Sequence, residues 1–371
     1  MTKNIEVLYA DSGGGHRSVA QAICAAIPAT GADYAVRLVN ATAISRPLFD
    51  GFSILYRLLI RHVPGLYHLF YRLTDNRFFA RALEYGLGLL FGRAMRRYLA
   101  HRNVDLLISC HILITLLLPQ ARGKAKLVSI TADPFSPHAD SFSPRMDLCV
   151  VSSSAARELA LRQGILPEKI RLAAHPVLPG YLSAALGRRE TLARLGLADG
   201  ALTILVTGGG DGLGKMLRVI DRLDASGLPI QLVIVCGRNQ KFYAELKTRK
   251  FHLPVSVIPF TEEMPSLLCA ADVLVTKAGP SALFEAFQAA LPIIIFDAIL
   301  GQEAGNVTYV CEHGAGLSCK SPVAVADAIR ELINDPPLRQ RMSACSLALA
   351  RPNAALDVAR ACLSLLEDAQ P

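Results

Sequence analysis

Glu285, Gln302 and Glu303 are the polar residues whose placement first suggests chemistry. Glu285 lies about one helical turn beyond Thr276-Lys277-Ala278-Gly279-Pro280-Ser281, where an apolar strand stops at a Gly-Pro turn and a helix opens. Backbone N–H groups at such a start lack intrahelical partners and suit an anion. A carboxylate one turn further in could grip the diol of a sugar. A second apolar run, 292–296, delivers Asp297, Gln302 and Glu303 to a neighbouring loop. Ligands of open parallel sheets sit in the loops that follow the strands. Polar residues crowded onto two adjacent strand ends therefore point to a ligand site rather than to an ordinary strand–helix–strand unit.

Three other stretches carry candidate chemistry. Gly13-Gly14-Gly15-His16 follows a strand and precedes a helix, where glycines let the backbone turn tightly and approach a ligand. The pattern is neither G-x-G-x-x-G nor a P-loop, which disfavours the standard dinucleotide and NTPase readings. His16 near a helix N-terminus is biased towards the neutral form, as suits a general base; its plainer role is to cap or pack. In Asp133-Pro134-Phe135-Ser136-Pro137-His138 the carboxylate could orient the histidine or bind a hydroxyl, or the pair could simply shape a turn. Gly208-Gly209-Gly210, followed by Gly212 and Gly214, places five glycines in seven residues after a strand. Successive free N–H groups in such a loop can cradle a diphosphate. No D-x-D and no His/Cys/Asp cluster with metal spacing occurs, so no metal is expected, and G-x-S-x-G is absent.

The elements that must position these residues alternate. Apolar runs at 5–10, 36–39, 106–109, 127–130 and 148–151 read as strands in the first part of the chain, and those at 202–207, 231–236, 255–259, 272–275 and 292–296 in the second. Most are separated by helical stretches. The pattern predicts an α/β protein: two doubly wound, Rossmann-like domains facing a cleft. A Pro- and Gly-containing stretch at 174–200 marks the linker, giving domains at 1–185 and 186–352. A tail helix at 353–371 is expected to fold back on the first domain.

Composition bounds the rest. Of the 371 residues, 52% are hydrophobic and 19% charged, which excludes disorder. No uncharged apolar run reaches ~18 residues, so no spanning helix is expected, and the chain enters a strand almost at once, which argues against a signal peptide. Nine cysteines without C-x-x-C spacing suit buried thiols in a reducing compartment. The net charge is +8, and ten arginines against three acidic residues between Arg46 and Arg102 place +7 of it in one segment. Phe and Tyr interleave with those arginines. Nucleic acid, a membrane surface, or core helices with snorkelling arginines could each account for the pattern. Abundant Leu and Phe with almost no Lys, Asn or Gln favour a membrane-associating segment at 46–102 over nucleic acid.

With these motifs placed, the chain resembles the GT-B glycosyltransferases that make glycolipids, the monogalactosyldiacylglycerol synthases and processive diacylglycerol glucosyltransferases. The peptidoglycan glycosyltransferase MurG is a more distant relative. The resemblance runs from Asp11-Ser12-Gly13-Gly14-Gly15-His16-Arg17 through Asp133…His138 and His175-Pro176-Val177 to Gly208-Gly209-Gly210-Asp211-Gly212 and Cys236-Gly237-Arg238-Asn239. It is densest over 276–316 and poor across 45–105. It implies a first domain that binds the acceptor lipid and a second that binds a UDP-sugar. His16 sits where the family's proposed base sits, with Asp133 as the other candidate, and Gly14, Gly15 and His138 are the expected acceptor-side or loop residues. Glu285 matches the glutamate that holds the nucleotide ribose, Gln302 and Glu303 match residues near the donor sugar, and Gly208, Gly209 and Gly210 border the diphosphate. Lys277, Gly279, Pro280 and Ser281 complete the expected donor set. The expected activity is inverting transfer of a hexose from a UDP-hexose to diacylglycerol without cofactor or metal. The protein would be cytoplasmic, peripheral on the inner face of the cell membrane, with anionic lipids as partners and no nucleic acid. A UDP-sugar epimerase of the same architecture and a non-catalytic nucleotide-sugar binding protein at a membrane are the alternatives; retention of Glu285, Gln302 and Glu303 argues against the latter.

Overall fold

The structure is a computed structural model that describes residues 2–11, 14–31, 33–100, 102–120, 123–183, 185–208 and 215–367, with Arg61 described by its backbone only. The chain forms two compact units: described parts of Met1–Pro179, Ile299–Gly305 and Asn353–Pro371 make the first, those of Gly180–Ala298 and Asn306–Pro352 the second.

The first unit runs β1 (Lys3–Tyr9), α1 (Gly14–Ala26), β2 (Tyr34–Asn40), α2 (Arg46–His62), α3 (Pro64–Thr74), α4 (Arg77–Ala100), β3 (Leu106–Ser109), α5 (Ile112–Leu117), β4 (Lys126–Ile130), β5 (Leu148–Val151), α6 (Ser154–Arg162) and β6 (Ile170–Leu172). All strand pairs are parallel, in the order β2-β1-β3-β4-β5-β6. Strands β3 and β5 are buried along their whole length, which is why they read as unbroken apolar runs rather than as alternation. One sheet face carries Ile5, Val7, Ile108 and Val128 against Val19 and Ile23 of α1. The other packs Leu8, Leu107 and Leu127 against Phe49 of α2, Met95 of α4 and Ile114 of α5. Strand order reverses between β1 and β3, so their C-terminal ends flank a topological switch point.

The second unit runs α7 (Arg188–Arg194), β7 (Leu202–Thr207), α8 (Lys215–Asp224), β8 (Ile230–Val235), α9 (Gln240–Thr248), β9 (Val255–Ile258), α10 (Met264–Ala270), β10 (Val273–Lys277), α11 (Pro280–Gln288), β11 (Ile293–Asp297), α12 (Ala304–Glu312), β12 (Gly316–Ser318), α13 (Pro322–Asn334) and α14 (Pro336–Leu349); the first residues of α12 belong to the first unit. Its parallel sheet has the order β12-β11-β10-β7-β8-β9, the dinucleotide-binding arrangement, with the switch point between β7 and β10. Ile204, Leu232, Val275 and Ile294 of the sheet meet Val219 and Leu223 of α8 and Val325 and Ile329 of α13. The edge strands β6 and β12 have three residues each, too few to show a period in sequence, and neither was expected.

The last described element is α15 (Ala354–Glu367), which belongs to the first unit. Ala355, Val358, Ala359, Cys362, Leu363 and Leu366 recur at helical spacing and enter the core beside Ile23 and Ile27. Lys3 Nζ donates to Leu366 O at 2.6 Å. Two domain boundaries differ from the sequence reading. The units divide at Pro179/Gly180 rather than at 185/186, and Ile299–Gly305, expected in the second domain, folds with the first. Polar pairing explains the latter, because Gln302 and Gly305 bond to groups of the first unit. Leu363→Ala should destabilise the protein by about 2–5 kcal/mol through transfer and cavity terms, lowering the thermal unfolding midpoint of a purified sample; an unchanged midpoint would mean that α15 carries no structural weight.

Candidate active site

In the first unit, His16 lies in the first turn of α1, beside the switch point. Its Nδ1 is 2.7 Å from the carbonyl oxygen of Cys110, the residue that extends β3 by donating its N–H to Leu8 O of β1 at 2.9 Å. A carbonyl can only accept, so Nδ1 carries the proton and Nε2 is left with a lone pair. Burial lowers the His16 pKa, outweighing the opposing hydrogen bond to Cys110. The ring is therefore neutral near pH 7, and Nε2 can receive a proton. The His111 ring meets it edge-on at 4.6 Å, and burial first and His16 second hold His111 neutral as well. His175 is held at about 3 by burial and then by His16. Three neutral imidazoles thus share one buried corner. Sequence reasoning placed His16 there and missed His111, which follows β3 as His16 follows β1. Gly14 opens α1 with room around its Cα, and Gly15 is half-buried beside it; Gly13 lies outside the described residues.

Asp133 and His138 do not form the pair the sequence allowed. His138 is buried, and its Nδ1 faces Asp140 Oδ1 at 2.7 Å, while Nε2 lies 3.0 Å from Tyr71 O and 3.1 Å from Thr74 Oγ1. Burial alone would lower its pKa, but the Asp140 carboxylate raises it on balance. The histidine therefore clamps its loop to α3. Asp133 instead accepts from Gln302 Nε2, at 3.3 and 3.4 Å to its two oxygens. Gln302 Oε1 accepts the hydroxyls of Tyr56, at 2.9 Å, and Tyr67, at 3.0 Å. Burial keeps both phenols protonated donors. Glu303 is buried and accepts the Ile299 N–H at 2.9 Å, closing its own loop. Gly301 has φ +86°, and a Cβ at Gly305 would lie 2.6 Å from Phe135 O, so both glycines are required by the close seating of this loop. The tyrosines went unassigned because they fall in the segment read as membrane-associating.

In the second unit, β10 shifts register against β11 between Thr276 and Lys277. Such an irregularity re-aims the chain at a strand end. Gly279 caps α11 with Pro280 at its first position, and the Lys277–Gly279 turn is held by Ala278 N–H donating to Asp297 O and Asn306 Nδ2 donating to Ala278 O, both at 2.8 Å. The hydroxyl of Ser281 is buried at the helix start. Lys215, the first residue of α8, pairs with Asp297. Glu285 is half-buried one turn into α11, and Tyr181 donates a hydrogen bond to it. Burial raises its pKa to about 7, the Tyr181 bond opposing the shift. Gly208 is buried where β7 ends; Gly209 and Gly210 lie outside the described residues. Among the described residues no group of three or more His, Cys, Asp or Glu is arranged to hold a metal.

Comparisons with known proteins agree on what this chain is similar to. The family model for monogalactosyldiacylglycerol (MGDG) synthase matches residues 16–177, and that for the glycosyltransferase family 28 C-terminal domain matches 203–358. A probable chloroplastic monogalactosyldiacylglycerol synthase of Glycine max is 32% identical over 96% of this chain and 70% of its own length. Among solved structures, Acinetobacter baumannii MurG covers 98% of this chain and 99% of its own at a TM-score of 0.62 and 16% identity. The UDP-GlcNAc 2-epimerase of Neisseria meningitidis, bound to UDP-GlcNAc, covers 98% of this chain and 100% of its own at 0.64 and 11%. At those identities both speak to the fold alone, which is that of two Rossmann-like α/β units of the GT-B type.

The raised pKa of Glu285 has a stability consequence. Folded at about 7 against an ordinary 4.5, the carboxyl favours the folded state below its unfolded pKa and loses that contribution as pH rises through 7. Glu285→Gln should therefore gain stability relative to the native chain between pH 5 and 8, by on the order of 2–3 kcal/mol. Urea unfolding at both pH values measures this, and a pH-independent difference would refute the assignment.

Proposed function

The chain belongs to the monogalactosyldiacylglycerol synthase family, and from that premise we propose that it is an inverting hexosyltransferase moving a hexose from a UDP-hexose to the free hydroxyl of diacylglycerol. The observation that carries the reading is the fixed tautomer of His16, whose Nε2 keeps its lone pair because Nδ1–H is spent on Cys110 O. The acceptor hydroxyl gives its proton to Nε2 as its oxygen bonds to the anomeric carbon, and the bond from that carbon to the UDP oxygen breaks on the opposite face. Charge building on the departing diphosphate meets the end of β7 at Gly208 and the N-terminus of α11, where Lys277, Gly279, Pro280 and Ser281 stand. Glu285 accepts the ribose hydroxyls, and Gln302 and Glu303 hold the sugar. Asp133 accepts a hydrogen bond from Gln302, and on this reading it holds the acceptor end while His16 takes the proton.

A lipid acceptor requires a surface to take it from. Twelve of the nineteen large apolar residues exposed among the described residues lie between Ile54 and Leu90, in α2, α3, α4 and the turns that join them. Arginines of the same segment frame them, the arrangement of an interfacial helix on anionic lipid. Among the described residues no helix is long and apolar enough to cross a membrane. We therefore assign this segment to the inner face of the cell membrane, with the helices lying on the bilayer.

Incubation with diacylglycerol and each UDP-hexose, followed by mass spectrometry of the lipids, should yield a monohexosyl product. An epimerised nucleotide sugar formed without acceptor would favour the epimerase alternative instead. His16→Ala should lower kcat about 10²–10⁴-fold with the donor KM unchanged, and full turnover by that variant would remove His16 from the role of base. In co-sedimentation the protein should pellet with phosphatidylglycerol vesicles at low salt and progressively less as ionic strength rises; no pelleting at low salt would remove the membrane from the reading.

A further inference from the structure

The two helices that carry the exposed apolar face also reach inward. On α2, Ile54, Leu55 and Leu58 are exposed, while Phe49 is buried and Phe52 and Tyr56 are half-buried, at i, i+3 and i+7. On α3, Leu66, Leu69, Phe70 and Leu73 are exposed, while Tyr67, Tyr71 and Thr74 turn inward, at i, i+4 and i+7. The rings of Tyr56 and Tyr67 meet edge-on at 5.7 Å, and both hydroxyls converge on one atom, Gln302 Oε1. A carboxamide has an accepting end and a donating end. With two phenols donating to the oxygen, the NH₂ end is left to face Asp133, a carboxylate that accepts from it. The four side chains therefore define a single orientation of the Gln302 amide.

We infer that Tyr56 and Tyr67 are positioning residues for the transfer reaction, fixing the amide of Gln302 towards Asp133 through their paired hydroxyls. The inference rests on the hexosyltransferase reading for its kinetic consequence, not for its geometry. Tyr71 supplies an internal comparison, because its hydroxyl donates to Ser136 O at 2.9 Å and not to Gln302.

Phenylalanine keeps each ring and removes only the hydroxyl, so the Tyr56→Phe/Tyr67→Phe double variant is the test. Each single variant leaves one donor on Oε1 and should lose turnover a few-fold. The double variant should lose kcat about ten- to a hundredfold, the scale on which misplaced groups act, with vesicle pelleting unchanged. Tyr71→Phe should leave kcat within about threefold, on the expectation that one hydrogen bond distant from the amide contributes little. If Tyr71→Phe costs as much as the double variant, the tyrosines act only by holding α3 on its loop, and the inference fails. It fails equally if the double variant turns over normally. A second measurement stands apart from turnover: the ¹⁵N NMR signal of the Gln302 side-chain amide, identified by its loss in Gln302→Ala. In the native chain one Nε2 proton should be shifted downfield by its carboxylate partner, and the double variant should lose that shift. An unmoved signal overturns the positioning role. A moved signal in a protein that makes no glycolipid upholds the positioning and overturns the hexosyltransferase reading instead.

Discussion

A ring nitrogen that faces a backbone carbonyl must carry a proton, and at His16 this simple constraint organises the first unit. The carbonyl belongs to Cys110, at the end of β3, and the histidine to the start of α1, which follows β1. The two meet because β1 and β3 are hydrogen-bonded neighbours at the point where strand order reverses. Slip either strand by one residue and the side chains exchange faces, leaving the imidazole without its acceptor. The buried alternation of Ile5, Val7 and Tyr9 against Leu8 and Ala10 on the other face sets that register. A proton on one nitrogen atom is thus specified by the packing of a sheet.

The basic segment obeys two demands at once. Its helices need a core-facing side, supplied by Phe49, Leu87 and Met95. On the opposite side Leu73, Phe78 and Leu90 stand well exposed. The arginines divide in the same manner. Arg81 pairs with buried Glu84 and also donates to Phe142 O, and Arg102 pairs with buried Glu6 at 2.7 Å. Each supplies the charge that a buried carboxylate requires. The net charge of the segment therefore overstates what is free to meet an anionic partner, and the helices serve the core as one of the sequence alternatives expected.

Parallel, fully buried strands announce themselves as short apolar runs, so both sheets were legible in sequence, as were the loops at their C-terminal ends. The three-residue edge strands were not, since periodicity needs length. Sequence neighbourhood misled at Gln302, which follows β11 by five residues yet folds with the first unit. Its partners, Tyr56 and Tyr67, lie more than two hundred residues away along the chain, and no local pattern encodes a pairing of that separation. Asp140 was passed over for the opposite reason: two residues from His138, it looked like loop polarity, while the more distant Asp133 drew attention as a partner. Tyr181 sits in the linker, where composition predicts only a turn.

The turn after β10 gains a sharper description from Glu285. A carboxylate withdrawn from water is costly to ionise, and one donor from Tyr181 only partly offsets that cost, which is why the group rests at about 7. Asp297 on the neighbouring strand end has a cation beside it, Lys215, whereas the partner of Glu285 is a phenol. A neutral phenol instead leaves the carboxyl poised between forms. A vicinal diol brings two hydroxyl donors to two oxygens, and donors to a carboxylate favour its charged form. On the proposed reading, ribose completes a hydrogen-bonding set that the protein alone leaves short.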